Sequence, residues 1–229
     1  MEYLHNGFTL EICPGGFPLS TDSILLANFV KLPRQASVLD LGAGCGTLGL
    51  LLCASDPNCF VTGVELSEAA HQMALKNRAR NGLDDRLQSI CANLTDISQL
   101  FPAGAFQCCV SNPPYFASGP ESRQTPVARQ ELQCTLADVL RAAAWSLKYG
   151  GDFYIVHRPE RMAELFAQAS ACHLEPKRLR LVRHKQGGPV TLILVQCRKG
   201  AKPGLNWEEL TLFHPDGTPT EDYRRIYHL

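Results

Sequence analysis

Along this 229-residue chain, short apolar runs rich in Val, Ile and Phe alternate with longer segments whose apolar positions recur at helical spacing. That alternation marks βαβ units, in which each parallel strand returns to the sheet through a helix covering one of its faces. Strands are predicted at 37–41, 60–65, 86–91, 105–111, 152–157, about 177–184 and 190–197, and helices at about 21–30, 47–54, 67–81, 135–148 and 159–171. In the helix over 67–81, Ser67 suits the N-cap, Ala69, Met73, Leu75 and Ala79 fall near one stripe, and Asn81-Gly82 suits a left-handed stop. The last two apolar runs are separated only by Gln186-Gly187-Gly188-Pro189, so they are predicted to pair antiparallel at one edge. Residues 200 to 229 are polar with scattered aromatics (Trp207, Phe213, Tyr223, Tyr227) and are expected to pack as an irregular tail.

At 45% hydrophobic and 19% charged, the chain carries enough apolar material for one sizeable core, and a single globular domain is expected. No stretch approaches the roughly 18 to 20 apolar residues of a membrane span, and Met1 to Leu10 lacks a basic region followed by an apolar one. A cytoplasmic protein with no membrane partner is therefore expected. The ten cysteines contain no Cys-x-x-Cys and no paired Cys/His set, so no metal is expected. Cys53, Cys108, Cys109 and Cys197 lie inside apolar runs, as small hydrophobes do in a reducing compartment. Lys and Arg (22) balance Asp and Glu (22), but the segment 177–202 holds Lys177, Arg178, Arg180, Arg183, Lys185, Arg198, Lys199 and Lys202 with no acid. Such a block either neutralises phosphates or forms a solvated pair of strands, and a net-neutral chain lacks the pI above about 9 of basic nucleic-acid domains.

Two motifs carry the candidate chemistry. In Val38-Leu-Asp-Leu-Gly-Ala-Gly-Cys-Gly-Thr-Leu-Gly49, Gly42, Gly44 and Gly46 follow Asp40 after the first of the predicted strands, where glycines allow a tight turn and close approach of a ligand to the next helix's N-terminus. Its Gly-x-Gly-x-Gly spacing differs from the Gly-x-Gly-x-x-Gly of dinucleotide sites. Glu65, at the end of the next strand, is placed to accept from both hydroxyls of a ribose, and Asn93, past the third, to accept from an adenine amine. Asn112-Pro113-Pro114-Tyr115 ends the apolar run from Ala105 to Ser111. A side-chain carbonyl, two rigid prolines and an aromatic ring at a strand's end make a clamp for a flat, conjugated NH2 group.

With these motifs the chain resembles the class I S-adenosylmethionine-dependent methyltransferases over roughly residues 20 to 198. The resemblance implies a Rossmann-like, seven-stranded, mostly parallel α/β sheet with a C-terminal antiparallel hairpin, and S-adenosyl-L-methionine as cofactor. It divides the chain into an N-terminal segment packing on the cofactor site (1–36), a methyltransferase domain (37–199) and the tail (200–229). It also implies that the glycine turn meets the cofactor's methionine part, that Glu65 binds its ribose and that Asn93 stands where an Asp facing the adenine is usual; an Asn carbonyl still accepts one hydrogen bond. Asn/Asp-Pro-Pro-Tyr/Phe/Trp belongs to the branch that methylates nitrogen conjugated to a plane. There Asn112 and the Pro113 carbonyl would accept the target's two N–H bonds, Pro114 would hold the loop rigid and Tyr115 would stack on the plane, with no strong general base required. A nucleobase amine is reached only when unpaired or swung out of its stack. The segment from Phe116 to Cys134, with Arg123 and Arg129, suits a mobile loop closing on a polyanion, or an exposed linker.

Residues 6 to 31, from Asn6-Gly7-Phe8 through Ser20-Thr21-Asp22-Ser23-Ile24-Leu25-Leu26, and Pro126-Val-Ala-Arg-Gln-Glu131 resemble the corresponding stretches of the bacterial tRNA(Val) adenine-N6 methyltransferase family. That resemblance implies tRNA as partner, the adenosine 3′ of the anticodon as target, and Thr21 and Asp22 beside the cofactor, with Asp22 meeting its ammonium group or serving at a helix start. Other readings are a release-factor glutamine-N5 methyltransferase, an rRNA guanine-N2 methyltransferase and a cofactor-binding scaffold without turnover. The first usually carries a helical domain before the cofactor domain, where only 37 residues precede Val38, and the second commonly ends its motif in Phe. Intact Asn112 and Tyr115 speak against the scaffold.

Overall fold

A computed structural model of the chain describes residues 1–113 and 134–229. Parallel strands β3 (Ser37–Leu41), β4 (Phe60–Glu65), β5 (Leu87–Cys91), β6 (Phe106–Ser111) and β7 (Leu147–His157) are followed by β8 (Leu174–Lys185), β9 (Val190–Lys199) and β10 (Asn206–Phe213). Across the sheet the order is β10-β8-β9-β7-β6-β3-β4-β5, with β9 antiparallel to both neighbours and the other pairs parallel. A short ribbon of β1 (Glu2–Tyr3) and β2 (Thr9–Leu10) stands apart from it. The helices are α1 (Thr21–Phe29), α2 (Thr47–Ser55), α3 (Glu68–Arg80), α4 (Ile97–Leu100), α5 (Leu136–Ser146), α6 (Met162–Ala171) and α7 (Glu221–Tyr227).

Both faces of the sheet are covered, which is why its central strands read as continuous apolar runs instead of alternating ones. Val38, Val61 and Val110 enter a core with Leu25, Leu26 and Phe29 of α1, Leu50 of α2 and Met73 of α3. Their strand neighbours Leu39, Leu41, Val64 and Cys109 enter a second core with α4, α5 and α6. Cys53, Cys108, Cys109 and Cys197 are buried free thiols in these cores.

Several boundaries depart from the sequence expectation. Among the described residues the sheet has eight strands in place of the expected seven, because residues 206–213 of the expected irregular tail pair with β8 as a parallel edge strand. Leu210 and Leu212 of that strand are buried, and α7 follows it with Ile226 in the core. The predicted helix at 135–148 starts on a capping box of Thr135 and Asp138, but ends at Ser146. Leu147 already pairs with Phe106, and a Cβ on Gly151 would lie 2.9 Å from the Gln107 carbonyl, so glycine there lets the chain pass close to β6. Ser67 caps α3 and Gly82 is left-handed, as expected. The buried face of α3 is nevertheless Ala70, Met73, Ala74 and Asn77, while Ala69 and Ala79 are exposed. No helix among the described residues is long and apolar enough to cross a membrane.

Candidate active site

Chain order reverses across β3, with β4 on one side and β6 on the other, and ligands of open α/β sheets sit at such a switch point beyond the strands' carboxyl ends. Asp40 is level with Gly63 on β4 and Val110 on β6, so the glycine turn, Glu65 and Asn112 all emerge at this end. The Ser111 hydroxyl donates to the Leu41 carbonyl (2.8 Å) and ties the two strand ends together. Neighbouring strands run about 4.8 Å apart, so the two loops start side by side.

The turn itself is built from left-handed glycines: Gly42, Gly44 and Gly46 have φ of 77°, 56° and 84°. A Cβ on Gly42 or Gly44 would meet no atom within 4 Å, so the backbone at these positions fronts open space of the kind a ligand needs. Beneath it a narrow pocket is lined by Asp40, Ala43, Gly46, Gly63 and Ala74. The turn is held from below: the Gly42 and Ala43 amides donate to the Val64 carbonyl, and Glu65 accepts from Gly44 N through Oε2 and Ser67 N through Oε1, each at 2.8 Å. Glu65 therefore links the turn to the start of α3 with one carboxylate.

Asp40 is 1% exposed and neither carboxylate oxygen has a well-formed hydrogen bond. Burial, and after it the Glu65 charge, raise its pKa to about 7, with only weak compensation from the Gly49 amide. A cation above the turn would relieve that penalty. Asn93 is less available than its sequence position suggests, since its side-chain oxygen already accepts from Thr95 N at 3.0 Å as the cap of a short turn. One lone pair of that carbonyl remains.

Asn112 follows β6 with its Nδ2 donating to the Ser23 hydroxyl at 2.9 Å, and no described residue donates to its Oδ1. That bond brings the first turn of α1, with Thr21 and Asp22, against the clamp. Thr21 also shares a side-chain hydrogen bond with Tyr227 of α7. Pro113 is buried. Pro114, Tyr115, Arg123 and Arg129 lie outside the described residues.

Three contributors were not foreseen from the sequence. Asn77, 0% exposed on α3, donates to the Cys45 carbonyl of the glycine turn (2.9 Å) and the Glu11 carbonyl (2.8 Å) and accepts from Glu11 N (2.9 Å). Cys13 N lies 3.4 Å from Cys45 Sγ, and burial first among several causes lifts the Cys45 thiol to about 11, keeping it neutral. Ser23 is the third. The only hint in the sequence was an amide residue, Asn77, one turn ahead of Asn81, which in turn grips Thr9 through both its backbone groups. A separate cavity of about 690 Å³, lined by Lys31, Gln107, Asp152, Arg178, Gln196 and Arg198, lies at the opposite end of the strands and is remote from this chemistry.

The basic stretch is mostly engaged. Arg178 and Arg180 pair with Glu208, Arg183 with Glu209 and Arg198 with Asp152, while Lys177 and Lys199 donate to the carbonyls of Lys202 and Leu147. The unexpected β10 supplies both glutamates.

The family model of the methyltransferase small domain matches residues 20–174. A tRNA1(Val) (adenine(37)-N6)-methyltransferase of Shewanella halifaxensis is 36% identical over 176 residues, 76% of this chain and 71% of that one. A protein of the same name from Vibrio parahaemolyticus is 27% identical over 223 residues, 96% of this chain and 91% of that one. Among solved structures, that of a predicted O-methyltransferase from Agrobacterium tumefaciens superposes with a TM-score of 0.77 at 22% identity, over 91% of this chain and 96% of that one.

Proposed function

The chain belongs to the methyltransferase small domain family and to the family of tRNA1(Val) (adenine(37)-N6)-methyltransferases, and from that premise we propose that it methylates the N6 amine of the unpaired adenine at the corresponding position of tRNA. Its cofactor is S-adenosyl-L-methionine. The observation that carries the reading is the emergence of Asn112-Pro113 and the glycine turn from adjacent strands at the switch point.

When bound, the cofactor supplies an electron-poor methyl carbon on a cationic sulfur. The residues present fit it: open space over Gly42 and Gly44, the unpartnered buried carboxylate of Asp40 below Gly46, and the carboxylate of Glu65 at the turn's edge. In this reading Gly42, Gly44 and Gly46 hold the methionine part, Thr21 and Asp22 flank it, Glu65 accepts from the ribose hydroxyls and Asn93 accepts from the adenine amine.

An aromatic amine's lone pair is delocalised into its ring and is a poor nucleophile. The Asn112 carbonyl and the Pro113 carbonyl accept its two hydrogens, which turns the lone pair out of conjugation and toward the methyl carbon. Pro114 and Tyr115, by their place in the motif, keep the loop rigid and stack on the base, and Arg123 and Arg129 meet the phosphates. The nitrogen would become cationic as its bond to the methyl carbon forms and that carbon's bond to sulfur breaks, leaving a neutral thioether, and would then give its proton to water. Positioning supplies most of the acceleration, so no strong base is needed.

Incubation with methyl-labelled cofactor is expected to label bacterial tRNA and to leave release factor unlabelled, with N6-methyladenosine as the labelled nucleoside. Label on a glutamine side chain, or on guanine N2, would replace this reading with one of the other two enzymes.

A further inference from the structure

An asparagine amide is nearly symmetric in shape, and turning it by half a rotation exchanges its carbonyl for its NH2. Only one of the two orientations is useful for accepting from an amine. In the other, the NH2 of Asn112 would point a donor at a donor. Packing cannot tell the two apart, so a hydrogen bond has to.

We propose that Ser23 is a positioning residue for methyl transfer, which holds the Asn112 amide with its carbonyl turned toward the target amine. The proposal rests on the reading of Asn112 as an acceptor for that amine. Asn112 Nδ2 donates to Ser23 Oγ at 2.9 Å, a contact between residues 89 apart in the chain. Ser23 is 6% exposed, so water does not compete freely for its hydroxyl. A hydroxyl both donates and accepts, and would leave the polarity of the amide undecided on its own. Ser20 decides it. As the N-cap of α1, Ser20 accepts from Ser23 N at 3.2 Å, and its Oγ also lies 3.3 Å from Ser23 Oγ. With the Ser23 proton directed at Ser20, the Ser23 lone pairs face Asn112 and select its NH2. The chain of hydrogen bonds then runs one way, from Asn112 through Ser23 to Ser20, and ends on the capped turn of a helix. The polarity of the clamp is set by α1, outside the motif itself.

Ser23→Ala tests this cleanly, because the variant keeps the backbone N–H that Ser20 caps and changes no apolar volume outward. Cofactor affinity and melting temperature are expected to stay close to those of the wild type, while kcat on tRNA falls roughly 10- to 100-fold and KM changes less than about threefold, the cost of a misoriented rather than an absent contact. Ser23→Thr, which restores the hydroxyl, is expected to recover most of the loss. The decisive arm is a double-mutant cycle with Asn112→Asp, measured at single turnover with enzyme in excess. A carboxylate offers an acceptor in either orientation, so in the N112D background Ser23→Ala is expected to cost less than about threefold further. An equal cost in both backgrounds, or a wild-type kcat in Ser23→Ala, would overturn the proposal. Failure of the underlying reading has a different signature, namely turnover retained in Asn112→Ala.

Discussion

Asp40 is buried at the end of β3 with no strong hydrogen bond to its carboxylate, and Asn112 is held by a hydroxyl on α1, so both take their properties from what the fold puts beside them. Both stand out in the sequence, one before a glycine turn and the other before two prolines. The partners that give them their properties do not: Ser23 lies 89 residues from Asn112, and Asn77 lies 32 from Cys45, whose carbonyl it holds. Serine and asparagine are common in helices, and only the folded sheet reveals which of them face a strand end. For Asp40 the consequence is a pH dependence with a definite sign. Its pKa is about 7 in the folded chain, against 3.8 for an exposed carboxyl, so the folded state holds its proton more tightly than the unfolded state does. The contribution to stability is fully present below about pH 4 and is lost as the pH rises toward 7, by on the order of a few kcal/mol. Asp40→Asn is therefore expected to raise the melting temperature of the free protein at pH 8 and to leave it nearly unchanged at pH 4. A cationic cofactor favours the ionised carboxylate, so wild-type affinity should tighten as the pH rises through 7 and become pH-independent in the variant. Calorimetry at several pH values reads both effects, and parallel wild-type and variant profiles would refute the assignment. Asn112→Ala is expected to lower kcat by at least about 100-fold with cofactor affinity little changed, because the contact is made to the amine and not to the cofactor.

Elements were legible where burial on both faces imposed a simple pattern. The parallel strands and the antiparallel β8–β9 pair lie over the apolar runs, because a strand covered on both sides has few polar positions to confuse its outline, although β7 starts at Leu147, ahead of its predicted run, and β10 covers the edge where the hairpin was expected. The tail was opaque for the opposite reason. Strand β10 is an edge strand, with Trp207, Glu208 and Glu209 exposed and only Leu210 and Leu212 deeply buried, so its pattern is half that of a strand. Its charged residues acquire meaning only opposite Arg178, Arg180 and Arg183 of β8. The glutamates of these pairs are about half exposed, so solvent screens them and each contributes on the order of 1 kcal/mol or less. The apolar contacts should matter more. Leu210→Ala, at 3% exposure, is expected to destabilise the chain by about 2 to 4 kcal/mol, whereas Trp207→Ala, at 65% exposure, should cost under about 1 kcal/mol. Denaturant titration separates the two. Similar midpoints for both variants would mean that β10 is held by its backbone ladder and charges instead of its buried leucines.

For the whole molecule, the question is where a polyanion would lie. Equal numbers of acids and bases, 22 of each, give the chain no strong overall field, so any attraction for RNA must be local. The densest local charge in the sequence, 177–202, looked suited to phosphate, and β10 was invisible as its counterweight. In the folded chain its guanidiniums are taken up by Glu208, Glu209 and Asp152. Arg123 and Arg129 follow the clamp motif in the chain, and they remain the cations closest in sequence to the reacting group. The two sets make opposite predictions for salt dependence. Each phosphate contact to a single-stranded RNA contributes about 0.7 to the slope of log affinity against log salt. Replacing Arg123 and Arg129 together by Ala should flatten that slope by roughly 1.4 and weaken tRNA binding, whereas replacing Arg180 and Arg183 should leave the slope unchanged. Filter binding across a salt series measures both. If the strand variants flatten the slope and the loop variants do not, then RNA must displace Glu208 and Glu209 from β8, and the basic strand pair, in place of the loop, would be the surface that carries the substrate.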